Sequence, residues 1–226
     1  ANFVLFVNYE DFESALRSAI PQTGRACFFS GYDCDSLAME SITGFAEHFV
    51  PFFRNHPEAW FEFRTKSVMT RPLIDREPLP NVIVSYTLSP DKIAREIEHG
   101  APPVAKRIAK IRELTEQGWT VGLRFDPLQP YPGFTELYRE LFQQVFTSVA
   151  SESIHSATLG PMRFPTAMHD KIVKLYPDDP LFARFPTETR NGQVSLPPDL
   201  EEHLVAEVTA ELEQFMPAEK VFRQTF

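Results

Sequence analysis

A thiol and a hydroxyl stand two residues apart in "GYDCDSLAMESITGF", as Cys34 and Ser36, directly after the apolar run Ala26–Phe29. Further polar side chains follow later apolar runs in the same way: Lys66 after "AWFEFRT", Ser85 inside "NVIVSYTLS", Asp126 in "TVGLRFDPL" and Arg163 in "SATLGPMRF". An ammonium can hold an anion, an aspartate with a lysine can do acid–base work, and a thiol offers a weak S–H bond. Each residue also has a plainer reading. Cys34 can be a small residue at a strand end, and Ser36 or Asp35 a helix N-cap. Lys66 can be a solvated lysine, Ser85 a hydrogen-bonded core serine, and Asp126 with Arg163 an ion pair across the mouth of a barrel.

These residues need a scaffold that brings strand ends together. Phe3–Val7 reads as a buried strand, and Phe12, Leu16 and Ile20 then lie on one face of a helix over 10–20. A second strand over 26–29 precedes a helix over 37–53, and "AWFEFRTKS" and "NVIVSYTLS" read as the third and fourth strands. Pro102 and Pro103 introduce a helix over 104–117 with Gly118 as its C-cap. "TVGLRFDPL" is a fifth strand, 138–149 an amphipathic helix, "SATLGPMRF" a sixth strand, and 166–175 another helix. Strands alternating with helices predict an α/β fold with a parallel sheet. Polar residues closing strand after strand favour a curved, partial (β/α)6-type barrel, in which the C-terminal strand ends converge. The expected division is a barrel over 1–176 and an extension over 177–226 packed on it, with a turn at Asn191-Gly192 and an acidic helix over 201–215.

Composition narrows the partners. The 226 residues are 43% hydrophobic and 23% charged, as in ordinary globular chains, with 21 Phe and 20 Pro. A formal charge of −9 argues against broad electrostatic binding of nucleic acid. Two cysteines argue against a disulfide framework and for a reducing, cytoplasmic setting. Cys27 is expected in the core. No histidine spacing suggests a metal site. The basic residues Lys92, Arg95, Lys106, Arg107, Lys110 and Arg112 alternate with Glu96, Glu98 and Glu113, which reads as a solvated helix face. No apolar run approaches the roughly 18 residues of a membrane span, and neither a membrane partner nor an oligomer is expected. The opening "ANFVLFVNY" suggests a processed product or a piece of a longer chain.

Read together, "DCDSLAME", "FEFRTKS", "VSYTLSP", "EHGAPPVAKRIAKIRELTEQGWTVGLRFDPL" and "LGPMRFP" resemble radical S-adenosylmethionine (SAM) enzymes of the spore photoproduct lyase type. The resemblance covers roughly residues 1–175. It implies a partial barrel binding SAM at its strand ends, a 4Fe–4S cluster, and a 5′-deoxyadenosyl radical that abstracts hydrogen from a thymine dimer in DNA. It further implies that Cys34 returns a hydrogen atom to the product. Ser36, Lys66 and Ser85 match SAM-contacting positions; Asp126 and Arg163 have no such match, but as residues that end later strands they could line the substrate pocket.

Two departures accompany the resemblance. The cluster motif C-x-x-x-C-x-x-C is absent and is expected just upstream of the opening strand, so this chain alone should hold no cluster. Near the C-terminus the family's lesion-binding Arg-Tyr pair is replaced by "TRNGQVSLPPDL", which bears on the DNA substrate and not on the radical chemistry. Two other readings stand beside this one. One is a non-catalytic SAM-type barrel domain binding a small molecule or protein partner. The other is a different α/β-barrel enzyme using Asp126 and Lys66 as acid and base.

Overall fold

The computed structural model describes residues 4–24, 26–31 and 34–224. The elements in chain order are α1 (Tyr9–Thr23), β1 (Cys27–Phe29), α2 (Glu40–Thr43), α3 (Phe45–Arg54), β2 (Trp60–Thr65), α4 (Arg71–Ile74) and β3 (Val82–Thr87). They continue with α5 (Asp91–Ile97), α6 (Val104–Gln117), β4 (Thr120–Leu128), α7 (Phe134–Ser148), β5 (Ile154–Pro161), β6 (Arg163–Pro165) and α8 (Thr166–Leu175). The last are α9 (Pro180–Ala183), β7 (Glu188–Arg190), β8 (Gln193–Ser195), α10 (Pro198–Leu212) and β9 (Val221–Arg223).

Six strands form one sheet in the order β1-β2-β3-β4-β5-β9, parallel throughout. The sheet curls into a half-barrel. Strand geometry sends alternate side chains to opposite faces, and the two faces differ sharply. The outer face carries Phe61, Phe63, Val84, Tyr86, Val121, Leu123, Phe125, Ala157 and Leu159, all buried under helices. Phe53 of α3 stacks on Phe61 at 4.4 Å between ring centroids, and Phe61 meets Phe63 edge-on at 4.8 Å. The inner face is polar. Arg64, Ser85, Gly122 and Ser156 line up across neighbouring strands by register, as do Thr87, Arg124 and Thr158, while Glu62 lies in register with Phe29 and Ile83.

Several expected elements hold with little change. The helix over 104–117 ends at Gly118, whose φ of 95° is the left-handed conformation a C-cap requires. The Asn191-Gly192 turn, with φ of 51° and 77°, joins β7 to β8, as positive φ at both positions of a type I′ turn would do.

Others are corrected. Residues 4–8 form no strand, and Val4–Val7 are exposed; Phe3 lies outside the described residues. A run of apolar residues becomes a strand only where a neighbour accepts its backbone hydrogen bonds, and among the described residues β1 pairs on one side only, with β2. The sixth strand is instead β9, from the tail, which pairs with β5. The helix expected over 37–53 divides at Gly44, φ 57°. There the buried Glu40 carboxylate accepts from the backbone N–H of Ala46 and Glu47 at 2.9 and 3.1 Å, capping the second segment. "SATLGPMRF" also divides: β5 stops at Pro161, and β6 joins the small antiparallel sheet β6-β8-β7.

Candidate functional site

The C-terminal ends of β2, β3, β4 and β5 open on a cavity of about 530 Å³, whose wall includes Cys34, Asp35, Arg64, Lys66, Thr87, Arg124, Asp126, Arg163 and Gln224. Four of the six sequence-predicted residues meet there: Cys34, Lys66, Asp126 and Arg163. Ser36 and Ser85 do not line it.

The loop after β1 is fixed by Asp35. Its Oδ1 accepts from the N–H of Leu37 and Ala38, each at 2.9 Å, and from Thr65 Oγ1 at 2.7 Å. Its Oδ2 accepts from Lys66 N at 2.6 Å. Asp35 therefore supplies the cap-like contacts expected of Asp35 or Ser36, and ties the loop to the end of β2. The Ser36 hydroxyl donates to Arg64 O at 2.8 Å and accepts from Arg64 N at 2.9 Å, with Ser30 Oγ beside it. These bonds hold Cys34 at the cavity mouth. Cys34 also borders an apolar cleft of about 670 Å³ between β1 and α1, in which Ser36 lies. Its sulfur packs so close to Gly31 that a Cβ there would sit 1.9 Å from Sγ.

Arg64 and Arg124, which line the cavity, belong to a charged cluster on the inner face. Glu62 Oε1 takes Arg124 Nε at 2.9 Å and Nη2 at 2.8 Å, and Arg64 Nε at 3.2 Å. Burial, the largest single influence on Glu62, pushes its pKa up. Arg124, the Ser85 hydroxyl and Arg64 together outweigh it and hold the carboxyl below its usual range. Ser85 sits on this face, fully buried, one position deeper than Thr87. Opposite it across the ladder, Gly122 leaves room: a Cβ there would meet Ser85 Oγ at 2.5 Å and the Arg124 guanidinium at 3.1 Å.

On the far wall, Asp126 and Arg163 make the ion pair the sequence allowed, at 3.6 Å, and Arg163 also donates to Gln224 Oε1 just beyond β9. Burial raises the Asp126 pKa above its ordinary value, against the pull of Arg163, Arg64 and Arg124. On the near wall Lys66 Nζ is 3.0 Å from Glu98 Oε1, and Glu98 Oε2 is 2.5 Å from Arg107. Burial works to raise the Glu98 pKa, yet Lys66 and Arg107 bring it below the usual carboxylate range.

Sequence reasoning missed Glu62, Arg64, Glu98, Arg107, Arg124 and Gln224. Glu98 and Arg107 correct the solvated-face reading, since their side chains are 5% and 1% exposed. A signal was available for Glu62, Arg64 and Arg124: charged residues at alternate positions inside apolar strands place charge on one face of a buried sheet. Cys27 corrects in the other direction. It is exposed, although burial and then Glu62 raise its thiol pKa.

Two opposite pH dependences follow from these carboxyls. Glu62 and Glu98 have folded pKa values below their unfolded ones. Their stabilisation is present above the unfolded value of about 4.3 and is lost as pH falls through the folded value. Asp126 has the opposite sign, its contribution being present below about 3.9 and lost as pH rises through its raised pKa. Glu62→Gln is expected to flatten the acid limb of melting temperature against pH. An acid limb unchanged in that variant would remove Glu62 as its source.

Among the described residues no helix is long and apolar enough to cross a membrane, and no cluster of histidine, cysteine, aspartate or glutamate is arranged to hold a metal ion. A family model described as spore photoproduct lyase matches residues 5–191. Spore photoproduct lyase of Bacillus subtilis (strain 168) is 22% identical over 178 residues, covering 76% of this chain. The chain spans about half of that relative's length, 52%. Among solved structures, a cysteine-to-alanine mutant of spore photoproduct lyase superposes with a TM-score of 0.84 at 18% identity, covering 98% of this chain and 68% of that one. A double mutant of the same enzyme, with bound AdoMet and dinucleoside spore photoproduct, gives 0.83 at 19% identity with the same coverage. These likenesses establish the half-barrel fold, and the family match over most of the sequence establishes that the chain belongs to the spore photoproduct lyase family.

Proposed function

We propose that this chain is the SAM-binding body of a radical SAM lyase of the spore photoproduct lyase type. The observation that carries the reading is the convergence of Lys66, Cys34, Asp126 and Arg163 on one cavity at the strand ends. SAM is zwitterionic in its methionyl part, cationic at sulfur and aromatic at adenine. The residues fit such a molecule: the cavity is within the roughly 300–1,000 Å³ range of small-molecule sites, and it offers the Lys66 ammonium and three guanidinium groups beside the carboxylates of Asp35 and Asp126. Lys66 would hold the carboxylate. Ser36 shapes the wall by fixing the backbone of Arg64, and Ser85 lies buried beneath the cavity, its hydroxyl without a hydrogen-bond partner among the described residues. When bound, SAM supplies the 5′-deoxyadenosyl group for hydrogen abstraction.

A 4Fe–4S cluster needs thiolate ligands. The chain's two cysteines, Cys27 and Cys34, do not make the three-cysteine set of a radical SAM cluster, so these residues do not fit that group and no step of this reading runs through it. Cys34, at the cavity mouth, would give a hydrogen atom to a substrate carbon radical, its S–H bond breaking as the C–H bond forms. Asp126 and Arg163 face the same space and would contact substrate. A structural relative is described with bound AdoMet and dinucleoside spore photoproduct, which supports a thymine dimer as substrate. The sequence "TRNGQVSLPPDL", which stands where the resemblance places the Arg-Tyr pair, argues against that substrate.

Calorimetric titration of SAM into the purified chain tests the reading. Binding is expected, and Lys66→Ala should weaken it by about 10- to 30-fold, the worth of a charge-assisted hydrogen bond. Absence of SAM binding, or affinity indifferent to Lys66, would overturn it.

A further inference from the structure

Lys66 is the first residue beyond β2, and a lysine there would ordinarily sample many rotamers. Here it does not stand alone. Its ammonium lies 3.0 Å from Glu98 Oε1, and the same oxygen accepts from Ser89 Oγ at 3.1 Å. The other oxygen accepts from Arg107 Nη2 at 2.5 Å. Arg107 gives two more donors to backbone carbonyls, with Nε on Pro102 O at 2.8 Å and Nη1 on Thr87 O at 3.2 Å. Arg107 is thus buried, neutralised by Glu98 and locked to the end of β3 and to the turn before α6. It holds the Glu98 carboxylate in place, and Glu98 holds Lys66. An ammonium has three N–H donors. With one committed to Glu98, two remain for an anion entering the cavity.

We propose that Glu98, backed by Arg107, is a positioning residue that presents the Lys66 ammonium to the carboxylate of the bound cofactor. The inference rests on the SAM-binding reading above. It makes a prediction opposite in sign to simple charge counting. Removing a negative charge beside an anion site should tighten binding if Glu98 acts only through its field. Removing it should weaken binding if Glu98 acts by holding Lys66, because the amide of Glu98→Gln has one acceptor oxygen and the buried Arg107 competes for it.

The experiment titrates SAM, and 5′-methylthioadenosine as a ligand lacking the aminocarboxylate, into the wild-type chain, Glu98→Gln, Lys66→Ala and the double variant. Circular-dichroism melts establish folding. Glu98→Gln is expected to weaken SAM about tenfold and to leave 5′-methylthioadenosine within twofold. In the Lys66→Ala background it should cost little more, since the two residues act as one unit. Should Glu98→Gln fail to fold, Glu98→Asp keeps the charge but shortens the reach, and the same tenfold loss is expected. Unchanged or tighter SAM binding in the folded Glu98 variant, with Lys66→Ala still weakening it, overturns the inference alone. Wild-type protein that binds no SAM overturns the cofactor reading first and this inference with it.

Discussion

Glu62→Ala is expected to cost about 3–5 kcal/mol of folding stability, the range for breaking a buried ion pair by removing one partner. The Glu62 side chain is 7% exposed and Arg124 10%. Arg124 makes two contacts to the one carboxylate oxygen, and Arg64 approaches the same group. Without Glu62, two guanidinium groups remain on the inner face with no counter-charge between them. Leu123 O and Ser156 Oγ, at 2.9 and 3.3 Å, satisfy one nitrogen of Arg124 but carry no formal charge. Urea denaturation of the two proteins gives the difference directly. A loss below about 1 kcal/mol, as for an exposed pair, would mean that water and neutral acceptors already satisfy Arg124. Replacing both Glu62 and Arg124 by leucine should cost much less than removing Glu62 alone, because no orphan charge is left.

Cys34→Ala is expected to leave SAM binding within about twofold, since Lys66 and its partners are untouched, and to collapse the yield of normal product in the assembled enzyme. Cys34 sits on the wall shared by the charged cavity and the apolar cleft, held by the bonds that Asp35 and Ser36 make to the end of β2. Hydrogen return to a carbon radical needs a weak X–H bond within contact of the substrate. Of the two thiols, Cys34 is at the C-terminal end of the sheet, whereas Cys27 begins β1 at the opposite end. Alanine offers no such bond, so the substrate radical should persist, give side products or draw hydrogen from solvent-derived donors. Anaerobic turnover with product analysis and deuterium tracing reads this out. Normal product at the normal rate from Cys34→Ala would leave Cys34 as a residue of the strand end and nothing more.

Whatever depends on neighbours a few residues apart is legible in the linear order of residues. The helix over 104–117 and the strand over 120–128 were legible to the residue because helical periodicity, the proline entry and Gly118 are all local. The closing positions Lys66, Asp126 and Arg163 were legible because a charge at the end of an apolar strand is conspicuous. The rest depends on residues brought together from distant parts of the chain. Phe3–Val7 had the composition of a strand, while Val221–Arg223 became one because the free edge of β5 was there to pair with it. Glu98 and Arg107 are nine residues apart among many charges, and only the fold of the α5–α6 connection removes them from water, tying Arg107 to Thr87 O and pointing Glu98 at Lys66. Burial and pairing are properties of three-dimensional surroundings, so the same glutamate reads as a solvent-facing charge in the sequence and as the buried ion-pair partner of Lys66 in the fold.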